Sequence, residues 1–521
     1  MYDYVVVGAG SAGCVLAARL SEDPDVSVLL LEAGPPDVNQ NIHVPLGYLK
    51  LARTEVDWGY SSAPEPRCDN RRIVLPRGRV LGGSSSVNAM VYIRGNHRDY
   101  DDWGIPGWSW ADLFPYFLRA EDNERGASEW HGVGGPLPVS EQRSGNRMTQ
   151  AFVEAGVQAG LARNDDFNGA EQDGVGMYQV TQRGGMRGSA AVAYLHPAME
   201  RPNLTVLPYM QVHRVLFEGA RAVGVQAAQL GQLQDFRAER EVILCGGAYN
   251  SPQLLMLSGV GPAEHLALRE LPVVLDQPAV GENLSDHACT ICTWTTPQEE
   301  SLLQALDPAA LEQFMATQSG PFASNFAESG GFARVTPGVE APDVQFHAVP
   351  LQIVDEGTSD PQAHGMCVLS CLLTPESRGT VRLASNDPTA HPIVRNELYA
   401  SDADLPRMLD GLRLMLDVCG QPALAPYCAE PYELPAGDSD AALHAHVART
   451  TFVIYHPVGT CALGTVVDEQ LRVNGLEGLR VVDASVMPDL VGGNINAPVI
   501  MVAEKAADMI RGREPPAPVN V

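Results

Sequence analysis

The stretch YDYVVVGAGSAGCVLAARLSEDPDVSVLLLE, residues 2–32, decides the fold. DYVVVG is β-branched and aromatic and reads as a buried strand. It runs into Gly8-Ala9-Gly10-Ser11-Ala12-Gly13, a GxGxxG pattern, and the residues after it have helix-forming composition with apolar spacing. VSVLLLE then gives a second strand that ends at Glu32. Each part has a physical reason. Gly8 permits the tight turn, Gly10 lets the backbone approach a pyrophosphate, and Gly13 allows close helix–strand packing. The helix start, with Ser11 and Ala12, offers unpaired N–H groups to phosphates. Glu32 stands at the spacing where an acid accepts hydrogen bonds from an adenosine ribose. The unit is a dinucleotide fingerprint, and it does not by itself separate FAD from NAD.

The rest of the chain is large enough to build more than this unit. It has 521 residues, 45% hydrophobic and 19% charged, enough for a sizeable core and two or three domains' worth of chain. A formal net charge of −28 repels phosphate backbones and anionic membrane surfaces, which excludes nucleic acid as a partner. Ten cysteines are too sparse for a disulfide scaffold. The CxxC of HACTICTW, Cys289 and Cys292, sends its side chains to opposite faces of a strand, so both read as reduced structural thiols in a cytoplasmic protein. The N-terminal stretch has no basic n-region, and no segment has the apolar length to span a bilayer. A soluble protein is expected, peripheral at most to the inner face of the membrane. No HExxH-like spacing occurs, so no metal is expected.

Four further segments bear chemistry. RGRVLGGSSSVNAMVYIRG (77–95) packs small and hydroxyl residues into a loop whose N–H groups can line a flat polar ligand. REVILCGGAYNSPQLLMLSGVG (240–261) predicts a strand, a Gly-Gly turn and a helix beginning after Ser251-Pro252. In TFVIYHPVGTC (451–461) a single histidine, His456, ends an apolar strand. Near the end of the chain a strand closes at Asp483, a glycine loop follows, and a periodic helix is expected over 498–511.

With these motifs, in this order and over almost its whole length, the chain resembles the glucose–methanol–choline oxidoreductases. MVYIRG, DFNGAEQDGVGMYQVTQ and SNFAESGGF carry a closer likeness to the flavin-dependent medium-chain alkanol dehydrogenases, with choline dehydrogenases the next nearest group. The resemblance implies FAD rather than NAD. It places Val80, Gly83, Ser84, Asn88, Ala89, Met90 and Val91 near the flavin, Val212 at the adenine, and Asp483 and Ala484 by the ribityl chain and ring. It implies non-covalent FAD, because relatives that attach flavin covalently carry a histidine where this chain has Val87.

It also makes His456 the catalytic histidine and Asn494 its partner, with Tyr455 and Glu328 as substrate-side candidates. Glu328 sits where choline-oxidising relatives hold a carboxylate, although a buried acid with structural partners is the favoured reading. Trp58, Trp103, Trp108 and Trp110 are expected in core or rim, and His97 and His131 at the surface.

The fold class expected is α/β, α+β overall: a Rossmann-like FAD-binding domain (1–155, 197–287 and 452–521) and a substrate domain (156–196 and 288–451) on an antiparallel sheet. Residues 375–388 would supply a turn and strand of an antiparallel sheet roofing the flavin, and 299–325 is a candidate lid. The activity implied is oxidation of a primary alcohol to the aldehyde by hydride transfer to flavin N5, with a quinone or other electron acceptor. Choline dehydrogenation, an oxygen-using alcohol oxidase and a hydroxynitrile lyase are the alternatives.

Overall fold

A computed structural model describes residues 1–354 and 359–521. Strand Tyr2–Val7 lies between Val28–Leu31 and the C-terminal half of the long strand Gln232–Leu244, parallel to both. Leu204–Leu207 adds outside Val28–Leu31 and Leu479–Val481 outside Gln232–Leu244, again in parallel. Parallel strands covered on both faces read as unbroken apolar runs, and VVV and VLLL are buried throughout. The N-terminal half of Gln232–Leu244 leaves this layer and pairs with the antiparallel hairpin Gln211–Glu218 and Arg221–Gln229. Helix Ser11–Leu20 packs on the sheet, and Asn496–Ile510, almost wholly buried, packs against that helix.

The second sheet is antiparallel. Its order is Glu430–Glu433, Ala288–Thr295, Gly365–Leu372, Val344–Val349, Ser329–Ala333, Gly174–Met177. A short strand, Phe452–Val453, also pairs with Ala288–Cys289 and so delivers the following residues to the end of this sheet. Helices Arg147–Gln158 and Asp404–Cys419 bury apolar faces against it. The fold class expected from the sequence is therefore present: a Rossmann-like layer and an antiparallel sheet.

The strand expected within 375–388 forms as Thr380–Arg382, antiparallel to Ile393–Arg395 in a separate two-stranded ribbon. Two local expectations are corrected. The helix expected after Pro252 begins earlier, at Gly247, and carries Pro252 inside it. A proline there removes the N–H that would bond Ala248, and the Thr460 hydroxyl donates to that carbonyl instead at 2.6 Å. The C-terminal helix spans Asn496–Ile510 rather than 498–511.

Candidate active site

A cavity of about 470 Å³ runs from the first βαβ unit to the end of the antiparallel sheet. At one end lie Gly8, Gly10, Ser11, Ala12, Glu32 and Val212; at the other lie Tyr455, His456 and Asn494. Gly83, Ser84, Asn88, Ala89, Met90, Val91, Asp483 and Ala484 also line it. Val80 and Gly13 are not on the wall. Val80 is fully buried among Ile42, Leu51 and Val56, where it props the glycine loop from behind.

The glycines separate packing from ligand clearance. A Cβ on Gly13 would stand 1.9 Å from the Gly8 carbonyl oxygen, so helix and strand could not approach as they do. Gly8 has φ +98°, and its Cβ would meet the Cys245 carbonyl at 2.6 Å. Gly10 has an ordinary φ of −75°, and a Cβ there would find nothing nearer than Cys245 O at 3.9 Å. Neither backbone conformation nor protein packing requires glycine at 10. A phosphate held close to the backbone does. The helix that starts at Ser11 has no side-chain cap, leaving its first N–H groups for such a ligand. Glu32 accepts from Ala9 and Gly34 N–H at 2.8 and 2.9 Å, and burial lifts its pKa to about 7. These residues fit the AMP half of a dinucleotide.

Asp483 is pinned by Ser251 Oγ at 2.6 Å and by the Gly247 and Ser485 N–H groups, each at 2.8 Å. It fixes the loop after the last parallel strand against the Gly-Gly turn.

The far end is built around His456. Strand Phe452–Val453 is registered against Ala288–Cys289. The chain then turns through Tyr455, a non-glycine residue at φ +70°, whose carbonyl accepts from Arg77 Nη2 at 2.6 Å. The His456 N–H donates to Asp286 Oδ1 at 2.7 Å. Its ring Nδ1 is 2.9 Å from His287 Nδ1, and its Nε2 is 3.2 Å from Asn494 Nδ2.

These contacts fix the tautomer. His287 Nε2 lies 3.2 Å from the Leu373 carbonyl, which can only accept, so that nitrogen carries the hydrogen. In a neutral ring the Nδ1 of His287 is then a bare acceptor, and His456 Nδ1–H donates to it. His456 Nε2 is left with its lone pair toward Asn494 and the cavity. Burial, reinforced by His287, His347 and Arg77 nearby, holds the His456 pKa well below its ordinary value. Burial likewise depresses His287, to about 3. A neutral His456 ring therefore presents an unprotonated nitrogen to the cavity.

Asn494 is oriented in turn. Its Oδ1 accepts from Gln345 Nε2 at 3.2 Å, which turns its amide N–H groups toward His456. The loop before it is clamped at Gly492, whose N–H donates to Asp99 at 2.6 Å and whose carbonyl accepts from Gln172 at 2.7 Å.

His287, Asp286, Gln345 and Asp99 escaped the sequence reading. His287 stands in HACTICTW, where the cysteines drew notice, and no local pattern marks it. Glu328 does not line the cavity. Its carboxylate is fully buried outside the cavity wall and accepts from Thr149 Oγ1 at 2.9 Å, while Phe326 and Ala327 face the cavity. Burial raises its pKa. His131 is not at the surface: it is buried between Glu121 and Asp166, at 3.0 and 2.8 Å. Trp103, Trp108 and Trp110 are core residues, and Trp58 lines the cavity. No metal-binding group of side chains occurs among the described residues.

Comparison with known proteins matches residues 2–289 to the N-terminal and 375–503 to the C-terminal GMC oxidoreductase family profile. The chain belongs to the GMC oxidoreductase family. It is 44% identical to the mitochondrial choline dehydrogenase of Mus musculus (98% of this chain, 89% of the relative). Against the alcohol dehydrogenase [acceptor] of Pseudomonas putida the figure is 42%, over 98% and 96% of the two chains. The two likenesses are level, so the expected ranking of alkanol over choline dehydrogenases is not upheld. Pyridoxine 4-oxidase from Mesorbium loti superposes with a TM-score of 0.91 at 31% identity, covering 99% of this chain and 100% of the other. This GMC oxidoreductase thus uses FAD and acts on alcohols, and the cavity's glycines and Glu32 are suited to that cofactor.

Proposed function

We propose that this GMC oxidoreductase oxidises an uncharged primary alcohol to the aldehyde and passes the electrons to a quinone-like acceptor. The observation that carries the reading is the bare Nε2 of a neutral His456 beside an amide donor on the cavity wall. An aliphatic hydroxyl hardly ionises at neutral pH, so loss of hydride from its carbon needs a group to take the proton. In this reading the alcohol oxygen sits between His456 Nε2 and Asn494 Nδ2. His456 takes the proton while Asn494 donates to the oxygen and holds it. FAD supplies the two-electron acceptor for the hydride. His456 Nδ1–H keeps its bond to His287 throughout, so the imidazolium forms without ring rotation.

The substrate side supports a neutral alcohol. Tyr48, Leu49, Phe326, Val349, Ile353 and Phe452 line it. The acidic lining residues among those described are Glu32, Asp57 and Asp483. Glu32 and Asp483 belong to the cofactor side, and Asp57 is occupied by the N–H groups of Arg53, Gly59 and Arg77. Val87 on the wall is no nucleophile, which supports dissociable FAD; acid precipitation should release all of it. The division into a FAD-binding and a substrate domain, with 299–325 as a lid, belongs to the same proposal. Phe326, just beyond that segment, meets Tyr48 edge-on at 5.9 Å at the apolar end.

The level likeness to choline dehydrogenases favours choline as the second reading. Anaerobic mixing with 1-octanol, benzyl alcohol or choline decides between them. Bleaching of the flavin by the neutral alcohols alone supports the proposal, and bleaching by choline alone replaces it with the second reading. Admitting air to the bleached enzyme then separates a dehydrogenase from an oxidase.

A further inference from the structure

Cys289 and Cys371 face each other in register across neighbouring strands of the antiparallel sheet. Residues paired in register share a face. The row Cys289, Cys371, Gln345 therefore lies on the same face as the next row, Ile291, Leu369, His347. His347 and Leu369 line the cavity, and Gln345 donates to Asn494. The two thiols thus sit one row from the cavity wall, behind the groups that hold the candidate base.

Both are fully buried, and neither is in a disulfide. Directly opposed residues on antiparallel strands have Cα atoms about 4.5–5.5 Å apart. That falls inside the range of about 4.4–6.8 Å that a disulfide spans. The Cys371 thiol is hydrogen-bonded to both Cys289 and His347. Burial opposes its ionisation, but the bonds to Cys289 and His347 outweigh it and bring the pKa below the ordinary value. The thiolate is the reactive form, so of the two Cys371 is the nucleophile.

We propose that Cys289 and Cys371 are a peroxide-reactive dithiol that closes to a reversible disulfide when hydrogen peroxide enters the substrate cavity. The Cys371 thiolate attacks one peroxide oxygen and breaks the O–O bond. It becomes a sulfenic acid, and the other oxygen leaves as hydroxide and takes up the thiol's proton to form water. The Cys289 sulfur then displaces the hydroxyl of the sulfenic acid, forming the S–S bond and a second water. In total two thiols lose two electrons and two protons, and one peroxide is reduced to two waters. The bond would tie strands Ala288–Thr295 and Gly365–Leu372 together beside His287 and His347. None of this depends on which alcohol the enzyme oxidises.

Treating the FAD-loaded enzyme with hydrogen peroxide, blocking remaining thiols in denaturant and mapping peptides without reduction tests the pair. The expected product is a Cys289–Cys371 linked peptide, lighter by two hydrogens, that dithiothreitol separates. Cys289→Ser should leave Cys371 to advance to sulfinic acid, and Cys371→Ser should leave Cys289 blockable. The inference is overturned if both cysteines are recovered blocked at peroxide doses that oxidise Cys428, the one thiol that is not buried. It is equally overturned if wild-type Cys371 becomes sulfinic acid without a link. If the serine variants fold poorly, the wild-type map alone decides.

Discussion

At His456 the chemistry depends on which ring nitrogen holds the proton, and a second histidine sets that. His287→Leu removes the acceptor for Nδ1–H and frees the ring to hold the other tautomer. One hydrogen bond of this kind is worth about 1 kcal/mol, so alcohol-driven flavin reduction should slow roughly three- to tenfold with FAD content unchanged. His287→Asn, whose side-chain oxygen can still accept, should recover part of the rate. A stopped-flow comparison of the two variants checks this.

The pH profile gives an independent reading of the same residue. An ordinary histidine would be half protonated near pH 6.5, and the reduction rate would fall on its acid side. Here burial keeps the pKa well below that value, so His456 stays neutral and should itself put no limb in the profile between about pH 8 and about pH 6. Burial lifts the Asp286 carboxyl to about 7, so a limb near pH 7 that disappears in Asp286→Asn belongs to that group. A limb at 6.5 that survives in Asp286→Asn would contradict the neutral-base account.

At the scale of elements, two glycines of one motif should fail differently. Gly13→Ala cannot fit between helix and strand, and the chain should be insoluble or unfolded. Gly10→Ala meets no protein atom closer than 3.9 Å and keeps an ordinary backbone, so it should fold and emerge without flavin. The ratio of flavin to protein absorbance in soluble material distinguishes them.

The same elements show what one sequence discloses. Strand, glycine turn, helix and acid are legible because their constraints act between near neighbours. His456 is legible through the long motif around it. His287 is not, because its meaning arises only when Phe452–Val453 pairs with Ala288–Cys289, far away in the chain. The stretch SNFAESGGF does not itself reveal which side chains turn inward; Phe326 and Ala327 do, and Glu328 turns away. Pro252 marks a helix start only until the Thr460 hydroxyl takes over the carbonyl its ring leaves unpaired.

Across the whole molecule, a parallel layer that presents a dinucleotide cradle meets an antiparallel sheet that presents the proposed base, and one cavity joins them. Among the described residues no helix is long and apolar enough to cross a membrane. With a net charge of −28, any contact with a quinone-bearing membrane must rest on apolar surface. Binding to liposomes should therefore be unaffected by salt; attachment to anionic vesicles that salt releases would contradict this.

The proposed oxidation requires His456 to receive the alcohol proton. The most direct measurement is the rate of anaerobic flavin reduction in His456→Ala, at saturating neutral alcohol and with FAD content matched to wild type. Loss of positioned base catalysis predicts a fall of about 10²–10⁴-fold with the flavin still bound. Reduction at the wild-type rate would contradict the assignment and require another group to take the proton.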